Sequence, residues 1–217
     1  DQILSLKPGH YLSYGVQYRY LDRPQLNLSS QMNDDFDLVS SQLRNYLEQA
    51  VKKRITTDPV ACLLSGGIDS SIITYIMSKY NNRVSAYTLG LDNSLDVSYS
   101  RLLCKKLGVK HIILAPKKEE MQNFYLKNGV YMTESYEPTL VRNAVSYHTV
   151  CKAIAADGFK YALTGEGADE LFGGYDFIMN ASGVNRDILT QYSLDVISNT
   201  YLQMADRAAM YASLEAR

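Results

Sequence analysis

Residues 60–71 read VACLLSGGIDSS, and no other stretch restricts the fold as tightly. VACL is an unbroken apolar run that predicts a buried strand, and IITYIM beyond the loop predicts a helix. Two glycines, three serines and one aspartate at a strand-to-helix junction suit an anion, phosphate above all. Gly66 and Gly67 let the chain turn sharply and bring bare backbone N–H groups toward the anion. The helix that follows adds its N-terminal dipole, and Ser65, Ser70 and Ser71 supply hydroxyl donors. Asp69 is the anomaly, because a carboxylate repels phosphate. The conflict disappears if Asp69 holds a magnesium ion that bridges to the phosphate oxygens; the alternative makes Asp69 or Ser65 a plain helix N-cap. The stretch is neither GxxxxGK[ST], since no lysine follows, nor GxGxxG.

The rest of the chain alternates. Strands are predicted over 83–91 (RVSAYTLGL), 109–114 (VKHIIL) and 159–165 (FKYALTG), and helices over 35–53, 69–79, 94–108, 117–132 and 139–158. Gly108 is expected to C-cap its helix. This order implies an α/β fold, a mostly parallel sheet covered by helices, with ligands beyond the carboxyl ends of the strands. LLSGG, YTLG and ALTGEG are all such ends. Residues 1–34 form an N-terminal region with a short strand or ribbon at YLSYGVQYRY and a loop around Pro24. Residues 35–217 form the main domain, with a helical C-terminal part from 185. The chain stops at SLEAR within what reads as an ordered segment, so the domain is expected to continue beyond it.

Composition excludes several classes. With 46% apolar and 21% charged residues in 217, the chain can bury a globular core. A formal net charge of -1 marks neither a nucleic-acid nor a membrane binder. No apolar run reaches the length of a membrane span, and DQILSLKPGH is not a signal peptide. Cys62, Cys104 and Cys151 lie far apart in apolar surroundings and read as buried thiols of a reducing cytoplasm. His10, His111 and His148 are isolated, without metal-ligand spacing.

A second glycine-rich stretch, TGEGADELFGGY at 164–175, also follows a predicted strand. Its acids Glu166, Asp169 and Glu170 are either a solvated turn or a cation site. If both loops top neighbouring strands, Asp69 and Asp169 can face one magnesium, an ion usually held by one or two protein carboxylates plus substrate phosphates.

As a pair the two stretches are highly specific. SGGIDSS resembles the pyrophosphate loop (PP-loop) of the ATP pyrophosphatases, the adenine-nucleotide α-hydrolase-like fold. TGEGADELFGGY resembles the matching loop in the synthetase domain of the asparagine synthetase family. LKPGHYL at 6–12 is similar to that family's segment joining glutaminase and synthetase domains, ADRAAMYASLEAR at 205–217 to a later helical segment, and TLVR at 139–142 to its aspartate-recognising threonine and arginine. Nearly the whole chain is covered.

The resemblance implies roles. Ser65, Gly66, Gly67, Asp69, Ser70 and Ser71 would hold the phosphates of ATP, with Leu63, Leu89, Thr164 and Gly165 at the adenosine. Asp69 and Asp169 would hold Mg²⁺. Thr139 and Arg142 would bind aspartate, although on its own Arg142 reads as a surface charge. Glu166 and Asp69 would be catalytic, Glu166 lying between substrate and incoming ammonia. The implied reaction adenylates the aspartate side chain, releases pyrophosphate, and lets ammonia displace AMP to give asparagine. Two departures stand against the family pattern. There is no N-terminal cysteine or glutaminase domain, so ammonia is free or delivered by a separate domain or partner, and the chain ends before the family's later pyrophosphate-contacting lysine. Three further readings remain: a β-lactam-synthetase-like enzyme, a peptide-cyclising one, or a non-catalytic nucleotide-binding module. β-Lactam synthetases carry tyrosine where Glu166 stands. A homodimer is left open.

Overall fold

The structure, a computed structural model, describes residue 6, residues 10–20 and 35–172, and residue 174. The expected loop at 21–34 and the expected helical part from 185 lie outside these residues. The chain divides into two units, residues 1–45 and 46–217.

In the first unit the uneven tyrosine alternation becomes an antiparallel hairpin of β1 (His10–Ser13) and β2 (Val16–Arg19). Tyr14 and Gly15 both take positive φ, 48° and 79°, as a two-residue turn matched to strand twist requires. Tyr11 pairs with Tyr18 across the strands, and their rings stack 5.3 Å apart. The helix α1 (Phe36–Lys52) crosses the boundary between the units.

The second unit is built on a four-stranded parallel sheet. Its strands are β3 (Val60–Leu63), β4 (Val84–Leu89), β5 (Lys110–Leu114) and β6 (Ala162–Leu163), in the spatial order β5-β4-β3-β6. Between them lie α2 (Ile68–Tyr80), α3 (Leu95–Leu107), α4 (Lys118–Phe124), α5 (Val130–Thr133) and α6 (Pro138–Ala156), and α7 (Ala168–Phe172) follows β6. Strands buried on both faces read as continuous apolar runs, which is why VACL needed no alternation.

Strand period two sorts the core. Val60, Cys62 and Leu64 meet Ile76 and Met77 of α2, Cys104 of α3 and Val51 of α1. Ala61, with Leu63, meets Val150 and Ile154 of α6 on the other face. The sheet is therefore a middle layer. Tyr87 of β4 donates to Asp157 Oδ2 (2.5 Å) and so anchors the end of α6. Asn81 ties the 56–58 turn to its own, donating to Thr56 O and Asp58 O (both 2.8 Å) and accepting from Arg83 N (2.7 Å).

Expected elements are modified in two places. The strand expected over 159–165 is only Ala162–Leu163, because Phe159 packs edge-on against Tyr87 instead of continuing the ladder. The helix expected over 117–132 is interrupted by a π-helical turn at Tyr125–Gly129. Gly129 lies so close to α6 that a Cβ there would sit 2.5 Å from Val141 Cγ1. Ser94 N-caps α3 through Val97 N (3.3 Å), and Gly108 closes it in the left-handed conformation, as expected. Cys62 and Cys104 are buried and Cys151 half-buried; burial pushes their thiols up to about 12, 11 and 11, so they stay protonated. Among the described residues no helix is long and apolar enough to cross a membrane.

Met77 is fully buried where α2 meets the sheet. Met77→Ala is expected to destabilise the fold by about 2–5 kcal/mol in urea unfolding. An unchanged midpoint would show that α2 does not depend on this packing.

Candidate functional site

β3, β4 and β5 succeed one another toward one edge, and the chain then returns to place β6 on the other side of β3. The order reverses between β3 and β6, and open α/β sheets bind ligands at such a point. A cavity of about 410 Å³ lies there, lined by the ends of both strands and by α6.

The β3 loop is braced from within. Ser70 Oγ donates to Gly67 O (3.3 Å) and lies 3.0 Å from Ser65 Oγ. A hydroxyl has one proton, so Ser65 donates to Ser70. Ser65 Oγ in turn accepts from Gly67 N (3.3 Å), and Ser70 Oγ accepts from Ser65 N (3.2 Å). The Ser70 hydroxyl therefore shapes the loop. Gly67, rather than Ser65 or Asp69, is the N-cap of α2, and it provides no side-chain hydrogen bond. The first-turn N–H groups are thus left without a side-chain cap, the arrangement an anion uses.

Two glycines set the spacing. Gly66 has φ 82°, and a Cβ there would sit 2.9 Å from Asp96 O at the start of α3. Gly165, after β6, presses on α2: its Cβ would meet Ser70 N at 2.8 Å and the Asp69 carbonyl carbon at 2.9 Å. Only bare backbone lets the two loops touch. Behind them Thr88 donates to Leu64 O (2.6 Å) and so accepts from His111 Nε2 (2.8 Å), which fixes His111 as the Nε2–H tautomer. Burial, and then the charge of Arg101, lower the His111 pKa, favouring that neutral ring. The isolated histidine of the sequence is a strut under the loop.

Of the residues assigned from the sequence, Leu63, Ser65, Gly67, Asp69 and Ser70 from the first loop line the cavity, as do Leu89, Thr164, Gly165, Glu166 and Asp169. Gly66 and Ser71 flank it without lining it. Thr139 and Arg142 stand at the start of α6, outside the lining. Arg142 is one helical turn before Ser146, which does line the cavity and whose hydroxyl donates to Arg142 O (3.3 Å). Glu137 N-caps α6, accepting from Thr139 N (3.1 Å) and Leu140 N (2.6 Å). The carboxylates Asp69 and Asp169 share the cavity, and a pair of acids beside an anion cradle suits a magnesium ion carried with phosphates. Among the described residues no group of three or more His, Cys, Asp or Glu forms an all-protein cage, which such an ion does not need.

The sequence reading missed Tyr147 and Tyr87. The Tyr147 hydroxyl donates to Glu166 Oε1. Burial first, then this contact, raise the Tyr147 pKa, so the phenol stays neutral and donates. Tyr87 is the β-partner of Leu63 and stands two residues before Leu89, a period-two signal for the same face.

Comparison with known proteins bears on the whole of this unit. The profile of the family described as Asparagine synthase matches residues 42–193. The chain is 30% identical over 194 residues to Asparagine synthetase [glutamine-hydrolyzing] 2 of Oryza sativa subsp. japonica, covering 83% of this chain and 32% of that protein. It is 32% identical over 169 residues to Asparagine synthetase B [glutamine-hydrolyzing] of Escherichia coli, covering 68% of this chain and 30% of that protein. The chain thus spans about a third of the length of these curated relatives. Among solved structures, an ammonia-dependent NAD synthetase from Campylobacter jejuni aligns with TM-score 0.37 and 13% identity, over 85% of this chain and 97% of that one.

Two predictions arise from this geometry. Gly165→Ala should destabilise the protein by about 1–3 kcal/mol, because the methyl meets helix backbone that cannot yield; urea unfolding measures it, and wild-type stability would mean the loops are not in contact. Backbone hydrogen bonds from Leu140 and Thr139 lower the Glu137 pKa. Its capping is present above the ordinary carboxylate range and lost as pH falls through the depressed value. Between pH 7 and pH 3, Glu137→Gln should therefore lose less stability than the parent, and an equal loss would refute the cap.

Proposed function

Because the chain belongs to the asparagine synthase family, we propose that it is an ATP-dependent amide-forming ligase that converts aspartate to asparagine. The observation that carries this reading is the meeting of the two glycine- and acid-bearing loops in one cavity where the strand order reverses. The uncapped start of α2, with the N–H groups of Ile68 and Asp69, would form the phosphate cradle. Leu63, Leu89 and Tyr87 give the cavity an apolar end suited to adenosine. Asp69 and Asp169 would hold magnesium, which supplies neutralisation of phosphate charge. Thr139 and Arg142 would take the α-carboxylate end of aspartate, Arg142 through paired hydrogen bonds.

In the first step a side-chain carboxylate oxygen of aspartate attacks the α-phosphorus. The bond to the β-phosphate breaks, and pyrophosphate leaves against the N–H groups of the loop. In the second step ammonia attacks the acyl carbon of the adenylate. Glu166 takes the proton from nitrogen, the acyl–oxygen bond breaks, and AMP departs. Ammonia comes from solution or from a glutaminase domain or partner, and the reaction belongs to the cytoplasm.

Radiolabelled pyrophosphate exchange into ATP tests this, run with magnesium over a panel of carboxylic amino acids, with and without ammonium. Aspartate-dependent exchange, and asparagine with AMP once ammonium is added, are expected. Exchange with a different acid and release of a cyclic product would move the chain to the ring-closing relatives, and no exchange with any acid would contradict the ligase reading. Glu166→Gln should keep exchange while amide formation falls by about 10²–10⁴-fold, the usual contribution of a general base. Loss of both together would sink the assigned role.

A further inference from the structure

Glu166 is an exposed residue on a short loop after a two-residue strand, a poor place to hold a proton acceptor still. A free glutamate there would sample several rotamers. Two hydrogen bonds hold it. Its own N–H donates to Thr164 Oγ1 (3.3 Å), and the Tyr147 phenol donates to Glu166 Oε1.

Tyr147 is the rigid member. It sits on α6, a 19-residue helix that packs against the sheet through Val150 and Ile154, three and seven positions further along the same face. Its ring packs on Met132 and Ala144. Tyr147 therefore carries the firmness of the core to a mobile type of side chain, which is how supporting residues act on reacting ones.

We propose that Tyr147 is a positioning residue for Glu166: its phenol holds Oε1 and leaves Oε2 as the oxygen that receives the proton from the attacking nitrogen. The assignment rests on the ligase reading for its chemistry, though not for its geometry. Tyr147 is not itself the base, because burial and the contact with Glu166 keep it protonated.

Tyr147→Phe keeps the ring and its packing and removes only the hydroxyl. Aspartate-dependent pyrophosphate exchange and the KM for ATP should stay within about twofold of the parent. The kcat for amide formation at saturating ammonium should fall roughly ten- to a hundredfold, as expected on losing a hydrogen bond to a charged group. Exchange and amide formation falling in parallel, or neither falling, would overturn the proposal. A parent without exchange would instead strike the ligase reading, and a crystal structure of Tyr147→Phe decides the geometry in either case. The Glu166 carboxylate should there occupy more than one rotamer; a carboxylate held in the parent position would defeat the claim.

Discussion

The bare backbone of Gly165 pressed against the first turn of α2 is the contact on which the site depends. It requires that β6 lie beside β3, that no side chain intervene, and that the helix begin immediately after the turn. Once these hold, the uncapped end of a helix, two carboxylates in the first turns of α2 and α7 and an apolar wall from β3 and β4 converge on one cavity. None of these groups is unusual alone. Their proximity is a property of topology, since only the reversal of strand order opens a crevice between the two loops.

The loop is stiff before any ligand arrives. Ser65 and Ser70 use their hydroxyls on one another and on Gly67, and His111 supports the carbonyl of Leu64 through Thr88. A cradle fixed in this way needs little reorganisation when charge develops on a leaving phosphate, which is where electrostatic stabilisation is most effective. The second loop has the same length, residues 164–167 against 64–67, and its acid depends on α6 for support through Tyr147. The two halves of the site are thus held by different layers of the fold, the phosphate side from within the sheet and the amide-forming side from the helix that covers it.

Much of this was legible in the sequence, for identifiable reasons. β3 and β4 are buried on both faces, so burial imposed apolar runs that periodicity can read. α3 carries both a serine cap and a left-handed glycine, signals that act locally. Where tertiary contacts decide, local pattern failed. Phe159 leaves the strand to meet Tyr87, and Gly129 admits a π-turn to let a helix approach Val141. The N-cap of α2 went to Gly67 because the Ser65 hydroxyl was already engaged with Ser70. Tyr147 escaped notice because an aromatic residue inside an amphipathic helix looks like core, and part of its ring is core. Only the position of its hydroxyl distinguishes it, and that depends on a loop separated from it by 19 positions.

The central claim is that the two loops form a single site for a nucleotide and its metal. A crystal structure with a non-hydrolysable ATP analogue and Mn²⁺, with anomalous data collected at the manganese edge, tests it most directly. The account predicts one anomalous peak between Asp69 and Asp169, phosphates against the N–H groups at the start of α2, and adenine toward Leu63 and Leu89. Phosphates bound elsewhere, or a metal held without Asp69, would contradict it.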